Sequence, residues 1–340
     1  MRTNLFAKRV FTVGILTALF AAFLIGPAPV AAAGTGTIVF DYGHGQYNSN
    51  LWNTTDLWLD NNLTAMGYTV IFDDDGITAA DLEGAVGFVA GSIYGSSNGY
   101  TAAEISAIAD WFNAGKKFMW IGYDSDYGGY NYIQTNMSEI LKGVGSHVYG
   151  EPLSVEDPIS SAASGYRVIA NTTGTDPFIA PIVQGVEKIL CHGPTLLYGS
   201  TTGVPFVTAV ALETTSIPNV YPLLYTGEAA VLVNADLIDG YAHDEGDEGS
   251  FVMATLEVGA GTAGSGVLIV SGASPYGDYR PMSEAEYYDI VMTGAMSFVS
   301  NAIDFGMNQA QAMDMTLILA IGAIGAVIVV VIIVAVMKKK

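Results

Sequence analysis

The sequence predicts an α/β domain built on a parallel sheet, a β-rich second half and one C-terminal transmembrane helix. Strand-like and helix-like segments alternate between residues 37 and 122. Strand-like runs then dominate residues 166–271, and residues 315–337 are apolar without a single charge. Alternating strands and helices form right-handed βαβ units, which place parallel strands side by side.

In the first half, the clearest helix begins after Thr101 and ends at Gly115. Glu104 follows Thr101 at capping-box spacing, and apolar residues recur on one face of the segment. The predicted elements, in order, are strand 37–42, helix 51–66, strand 68–72, a short helix 79–83, strand 86–90, helix 101–115 and strand 117–122.

The second half is richer in β-branched and aromatic runs bounded by Gly, Pro, Asn and Asp. The predicted strands are 166–170, 195–198, 205–212, 220–224, 229–234, 251–258 and 267–271. A final amphipathic helix is predicted over 283–305, because Ser283 and Glu286 have capping-box spacing ahead of an apolar face.

The two ends of the chain predict export and anchoring. Residues 1–33 combine basic residues, an apolar stretch and an Ala-x-Ala site, the features of a signal peptide. Residues 315–337 exceed the roughly 20 apolar residues that span a bilayer. The lysines at 338–340 should remain cytoplasmic. We therefore expect an extracellular domain over 34–308, a short linker over 309–314 and a single-pass anchor in the cell membrane.

The expected extracellular part is strongly acidic. It contains all 33 Asp and Glu and only six of the 12 Lys and Arg, since the other six basic residues lie in the termini. Such a charge repels nucleic acid, so a nucleic-acid partner is excluded.

The single cysteine, Cys191, cannot form an intrachain disulfide, and its position beside His192 on a strand favours a structural role. Four Asn-x-Ser/Thr sequons are candidate glycosylation sites in an exported chain: Asn53, Asn62, Asn136 and Asn171. An archaeal host would fit the lone cysteine and the sequons.

In a parallel sheet, binding sites form where strands end at the carboxyl edge. The candidate ligand-binding residues follow the first, third and fourth predicted strands: His44, Gln46, Tyr94, Tyr123, Asp124, Ser125, Asp126, Tyr127 and Tyr130. Tyrosines mixed with Gly, Ser and Asn are typical of recognition surfaces, for example for sugar rings or a protein partner.

Three functions remain open from the residues alone. The first is non-enzymatic binding of a ligand or partner. The second is a hydrolase in which His44 would activate Ser125, although no Gly-x-Ser-x-Gly elbow surrounds that serine. The third is a structural envelope protein that binds Ca²⁺ through acidic loops, with Asp124 and Asp126 as the candidate metal ligands.

Several segments together resemble a known family. They are FDYGHGQ (40–46), the helix 104–115 with the following GYDSD (122–126), and SGVLIVSGAS (265–274). They are similar to the class I glutamine-amidotransferase-like domains encoded beside ABC transporters and gliding-motility components. The resemblance implies a flavodoxin-like sheet with helices on both faces and a role auxiliary to a transporter.

The chain departs from the enzymatic relatives at the turn that should carry the nucleophile. Catalytic members have a cysteine there, and residues 122–126 contain none. We therefore expect no catalytic residue, and no cofactor except Ca²⁺ under the third hypothesis.

Overall fold

The computed structural model describes residues 35–46, 52–93, 97–127 and 131–312, without the side chains of 52, 53 and 131–134. The predicted signal peptide (1–33) and transmembrane helix (315–337) lie outside the described residues. Within the described part, no helix combines the length and the apolar character needed to cross a membrane.

Eighteen strands are present in the described part of the chain. In chain order they are β1 (Thr37–Asp41), β2 (Thr69–Asp73), β3 (Ala85–Ala90), β4 (Phe118–Gly122), β5 (Val148–Gly150), β6 (Ser154–Glu156), β7 (Arg167–Ala170), β8 (Thr172–Thr173), β9 (Ile189–His192), β10 (Leu197–Ser200), β11 (Ala209–Ala211), β12 (Val220–Tyr225), β13 (Ala230–Val233), β14 (Glu248–Gly249), β15 (Val252–Ala260), β16 (Gly266–Ser271), β17 (Glu286–Tyr287) and β18 (Ile290–Val291).

The helices mostly connect the strands of the first half. They are α1 (Leu57–Ala65), which follows a π-helical turn at Trp52–Asp56, α2 (Ala102–Asn113), α3 (Asn131–Gly143), the short α4 (Ala180–Val183) after a 3-10 turn at Pro177–Ile179, and α5 (295–312).

The main sheet has eight strands in the order β2-β1-β3-β4-β16-β15-β12-β8. The first five are mutually parallel, and the pairs from β16 to β8 are antiparallel. The predicted α/β class with a parallel sheet is therefore confirmed. The fifth parallel strand, β16, lies far from β4 in sequence.

Strands in the middle of the sheet are buried on both faces, as expected when helices cover each side. All five residues of β4 are buried. Ile38 and Phe40 of β1 belong to the core under α1 and α5, whereas Val39 belongs to the opposite core under α2 and α3. The predicted capping box of α2 is present: Thr101 Oγ1 accepts from the Glu104 amide, and Glu104 accepts from the Thr101 amide.

The β-rich second half is also confirmed. Besides the antiparallel strands of the main sheet, it forms two three-stranded sheets (β11-β10-β5 and β14-β13-β6) and two strand pairs (β7-β9 and β17-β18).

One histidine of the second half, His243, contacts carboxylates from two other segments. Buried His243 places Nδ1 3.0 Å from Glu151 Oε1 and Nε2 3.1 Å from Glu213 Oε2. Burial disfavours the charged ring, but the two carboxylates outweigh burial and raise the pKa of His243 to about 9.

Three predicted elements differ from the structure. Residues 79–83 form turns and no helix. The predicted strand 205–212 shortens to β11, because Phe206 and Thr208 adopt the left-handed φ values of 65° and 53°, which strands do not accommodate.

The predicted helix 283–305 begins twelve residues later than expected, at 295. Tyr288 and Asp289 have positive φ (49° and 59°) and turn the chain between β17 and β18. The hydroxyl of the predicted cap, Ser283, has no hydrogen-bond partner among the described residues. The capping-box spacing at Ser283 and Glu286 was therefore misleading.

Candidate binding site

Loops that follow parallel strands meet at the carboxyl edge of the sheet, as predicted. Gln46 Nε2 donates to the Gly91 carbonyl at 3.3 Å, which joins the loops after β1 and β3. The Ser92 amide donates to Ser274 Oγ at 3.2 Å, and the Asp278 amide donates to the Gln46 carbonyl at 2.9 Å. These bonds add the loop after β16 to the same surface.

A buried tyrosine and a glycine hold these loops together. The Tyr276 hydroxyl accepts from the Gly91 amide at 3.2 Å and lies within hydrogen-bond distance of the Val89 and Asp41 carbonyls. A Cβ on Gly91 would lie 2.3 Å from Ser274 Oγ, so a larger residue would force that hydroxyl to move. The loops after β3 and β16 therefore approach each other closely at Gly91.

His44, the predicted base, is enclosed between two carboxylates. Its Nδ1 lies 2.7 Å from Asp41 Oδ2, and its Nε2 lies 3.2 Å from Glu104 Oε1. The ring stacks on Tyr100 with 3.8 Å between centroids, and the Tyr100 hydroxyl also donates to Asp41. His44 thereby links the end of β1 to the first turn of α2.

The contacts with Asp41 and Glu104 shift the pKa of His44. Burial opposes the charged ring, but the hydrogen bonds and charges of Asp41 and Glu104 outweigh burial and raise the pKa of His44. Both ring nitrogens are engaged by carboxylates, and no hydrogen bond joins His44 to Ser125 among the described residues. The structure thus gives no support to the His44–Ser125 hydrolase hypothesis.

The loops after β4 and β16 place two carboxyl groups close enough to influence each other. Burial first, and then the charge of Asp278, raise the pKa of Asp124. Burial also raises the pKa of Asp278, against hydrogen bonds from the Tyr279 amide and the Ser92 hydroxyl (3.0 Å). Asp124 Oδ1 accepts from the Ser125 amide at 2.7 Å. Asp124 is half-buried and Asp278 is buried in these loops.

Asp126 does not join this pair, since its carboxylate is bound within the β-rich part. Oδ2 accepts from the Ala235 amide at 2.6 Å and from the Asp236 amide at 3.1 Å, and Oδ1 accepts from the Ser154 hydroxyl. Across the described residues, no group of three or more His, Cys, Asp or Glu side chains is arranged to hold a metal ion. The geometry therefore gives no support to a Ca²⁺ site on Asp124 and Asp126.

The remaining predicted site residues of this loop differ in their burial. Tyr123 is fully buried, with its hydroxyl 3.0 Å from Ser138 Oγ. Ser125 is buried, and its Oγ accepts from the Tyr127 amide at 3.3 Å. Tyr127 is 72% exposed and is the most accessible of the described residues 123–127.

Two predicted site residues, Tyr94 and Tyr130, lie outside the described residues, as does the side chain of Asn53. Of the other sequon residues, Asn171 is exposed, whereas Asn62 and Asn136 are partly buried. Asn171 is thus the most accessible of the described glycosylation candidates.

His192, which we assigned no role from the sequence, lies beside the acidic pair. The Ser125 amide donates to the Gly193 carbonyl at 3.0 Å, and a Cβ on Gly193 would lie 3.6 Å from Asp124 Oδ1. Cys191 is buried in the core, and burial raises the pKa of its thiol to about 12. The inert thiol agrees with the structural role predicted for this cysteine.

Asp278, Tyr279 and Arg280 were not among the predicted site residues, although they directly follow the segment SGASPYG of the closing strand and loop. Because binding sites form after parallel strands, the end of this buried strand is the sequence signal that points to them.

No protein-family model matches this chain, and no curated protein matches it. Among solved structures, the chain is similar to a ThuA-like protein from Bacteroides uniformis. The two are 12% identical, with 84% of this chain and 93% of that chain covered, and the TM-score is 0.37. A likeness this low carries no argument about function.

Proposed function

We propose that this chain is a membrane-anchored protein of the cell surface that binds a glycan, without catalysis, at the carboxyl edge of its sheet. One observation carries the proposal. The edge combines the Asp124–Asp278 carboxyl pair with the exposed rings of Tyr127 and Tyr279 (72% and 56% exposed). Carboxylates accept hydrogen bonds from sugar hydroxyls, and tyrosine offers an apolar face to a sugar ring together with a hydroxyl.

The absence of catalysis is inferred from the groups that the edge would need. Ser125 requires a base within hydrogen-bond reach, and both ring nitrogens of His44 are bound to Asp41 and Glu104. Cys191 is buried with a raised thiol pKa, so it is not an available thiolate. A hydrolase remains the alternative, and a calcium-binding envelope protein is less favoured by the geometry.

The strand order also supports a proposed relationship. The parallel part, β2-β1-β3-β4-β16, has the 2-1-3-4-5 order of flavodoxin-like sheets. We therefore propose that the chain is a flavodoxin-like relative of the amidotransferase-like domains encoded beside ABC transporters. In that role it would capture a ligand outside the cell for a transporter.

The proposed anchoring has a direct test on intact cells. Protease added outside should digest the domain and leave a small membrane-bound fragment that contains residues 315–340, since only the anchor and its lysines would be protected. Immunoblotting with an antibody to the C-terminus measures the fragment, and lysed cells serve as the control. Full protection of the chain in sealed cells would contradict the topology.

The proposed binding is tested by titrating the purified full-length chain with neutral and acidic oligosaccharides. Tyr127→Ala and Tyr279→Ala should each weaken binding severalfold, because a lost aromatic contact is worth on the order of 1 kcal/mol. Phe206→Ala is a matched control, since Phe206 is 50% exposed but lies in the β10–β11 connection. Hydrolysis of the oligosaccharides, abolished by Ser125→Ala, would refute the non-enzymatic function.

A further inference from the structure

Next to the acidic pair, four tyrosine rings surround a histidine and an arginine. We call this group the tyrosine–arginine cluster; its members are Tyr166, Arg167, His192, Tyr279, Tyr287 and Tyr288. The Arg167 Cζ atom lies 4.5 Å from the ring centroid of Tyr288, 4.8 Å from that of Tyr166 and 5.8 Å from that of Tyr287. The cluster is continuous with the edge, because His192 precedes Gly193 and Tyr279 follows Asp278.

Arg167 is a cation without an anionic partner among the described residues. Arg280, packed on Tyr287 at 5.1 Å, pairs with Glu284 at 3.0 Å, but no carboxylate of the described part pairs with Arg167. Its Nη1 donates a long hydrogen bond of 3.5 Å to the Ala162 carbonyl, and the guanidinium also donates to the Tyr166 hydroxyl. In a domain with so few basic residues, an unneutralised guanidinium is conspicuous.

Two buried nitrogens of the cluster are also unsatisfied. Arg167 Nε and His192 Nε2 have no hydrogen-bond partner within the described part of the chain. A buried donor or acceptor without a hydrogen-bond partner destabilises the folded chain. A ligand that accepts a hydrogen bond here would offset part of this destabilisation.

The cationic groups of the cluster act on His192. Burial, followed by the charges of Arg167 and Arg280, lowers the pKa of His192 to about 4, so the ring is neutral at pH 7. Arg280 already pairs with Glu284, which leaves Arg167 as the cationic group of the cluster for an added anion. A charge-assisted hydrogen bond from the Arg167 guanidinium would stabilise that anion.

Three tyrosine rings of the cluster are partly open to solvent. Tyr166, Tyr279 and Tyr288 are 39%, 56% and 53% exposed, although each packs against His192, Arg167 or Tyr287 on one side. The β17–β18 turn holds Tyr288 at a φ of 49°, which is unfavourable for a bulky residue. Backbone strain of this kind is common at sites that bind ligands.

We propose that the tyrosine–arginine cluster binds the carboxylate of an acidic sugar, with Arg167 as its partner and the exposed tyrosines against the sugar ring. The inference rests on the proposed glycan-binding function and narrows the ligand to uronate-bearing glycans. The sugar hydroxyls would then face the neighbouring Asp124–Asp278 pair.

A matched pair of probes tests this: the trimer of galacturonate, and the same trimer with every carboxylate reduced to the alcohol. The full-length chain should bind the acidic trimer at least about tenfold more tightly, since hydrogen bonds to charged groups are among the strongest. Arg167→Gln should abolish this preference, so that the two trimers bind with similar affinity. Lys188→Gln, which removes an exposed charge elsewhere, should preserve the preference.

A second measurement needs no variant. Binding of the acidic trimer should raise the pKa of His192, followed by NMR of its ring protons, because an added anion offsets the arginine charges. The neutral trimer should leave that pKa in place. Equal binding of both trimers by the wild-type chain would overturn this inference and keep the proposed function. Equal competition by a short acidic peptide would also overturn the inference. If neither trimer binds, both the inference and the proposed glycan binding are contradicted.

Discussion

Replacing Asp41 with alanine should lower the free energy of unfolding by about 3–5 kcal/mol, the usual cost of removing one partner of a buried ion pair. Asp41 is fully buried and accepts hydrogen bonds from His44, the Gly43 amide, Gln46 and Tyr100. Without it, these groups would lose their common acceptor at the end of β1. Chemical denaturation followed by circular dichroism measures the change.

Asp74→Ala provides the control, because Asp74 lies exposed in the loop after β2 and should change the unfolding free energy by less than about 0.5 kcal/mol. If Asp41→Ala lowered the free energy of unfolding as little as Asp74→Ala, the hydrogen-bonded groups around Asp41 would be solvated in solution. His44 would then be available as a base, and this result would support the hydrolase hypothesis.

The second large effect is a loss of stability as the pH rises from 6.5 to 9. The pKa of His243 is about 9 in the folded chain, above its ordinary value of 6.5. Its contribution is therefore complete below pH 6.5 and disappears as the pH rises through 9. At about 1.4 kcal/mol for each pKa unit, the loss is roughly 3 kcal/mol.

The matched variant for this effect is His243→Gln, which cannot titrate. Denaturation of both proteins at pH 6 and pH 9 should show a smaller decline for the variant. The raised pKa values of His44 and His147 act in the same direction in both proteins, so the difference between the two declines isolates His243. Identical declines would show that Glu151 and Glu213 do not hold a charged His243.

The parallel sheet was predictable because short segments of sequence are enough to identify its strands. Residues 37–42, 86–90 and 117–122 are short β-rich runs that each end in polar residues and glycine, and each became a strand at the expected place. The capping box at Thr101 was equally local. In both cases, the interactions that fix the element lie within a few residues of one another.

Helix α3 and the tyrosine–arginine cluster were not predicted, for a different reason. The α3 sequence NYIQTNMSEILKG is mostly polar, and its helical state depends on burial of Met137, Ile140 and Leu141 against the sheet. The cluster brings residues 166–167, 192, 279 and 287–288 together through two separate strand pairs. No short window of sequence contains such an arrangement.

The position of β16 has a consequence for how the protein is made. Its partner β4 ends at Gly122, yet β16 begins only at Gly266, so more than a hundred residues must emerge before this parallel pair can form. Pairings between distant segments form slowly, because the entropy of closing the intervening chain must be overcome first. Until then one edge of β4, a strand buried throughout in the finished domain, has no neighbour. Asp278 and the residues beyond it follow β16 in the chain, so the loops at the carboxyl edge come together only after this pair can form.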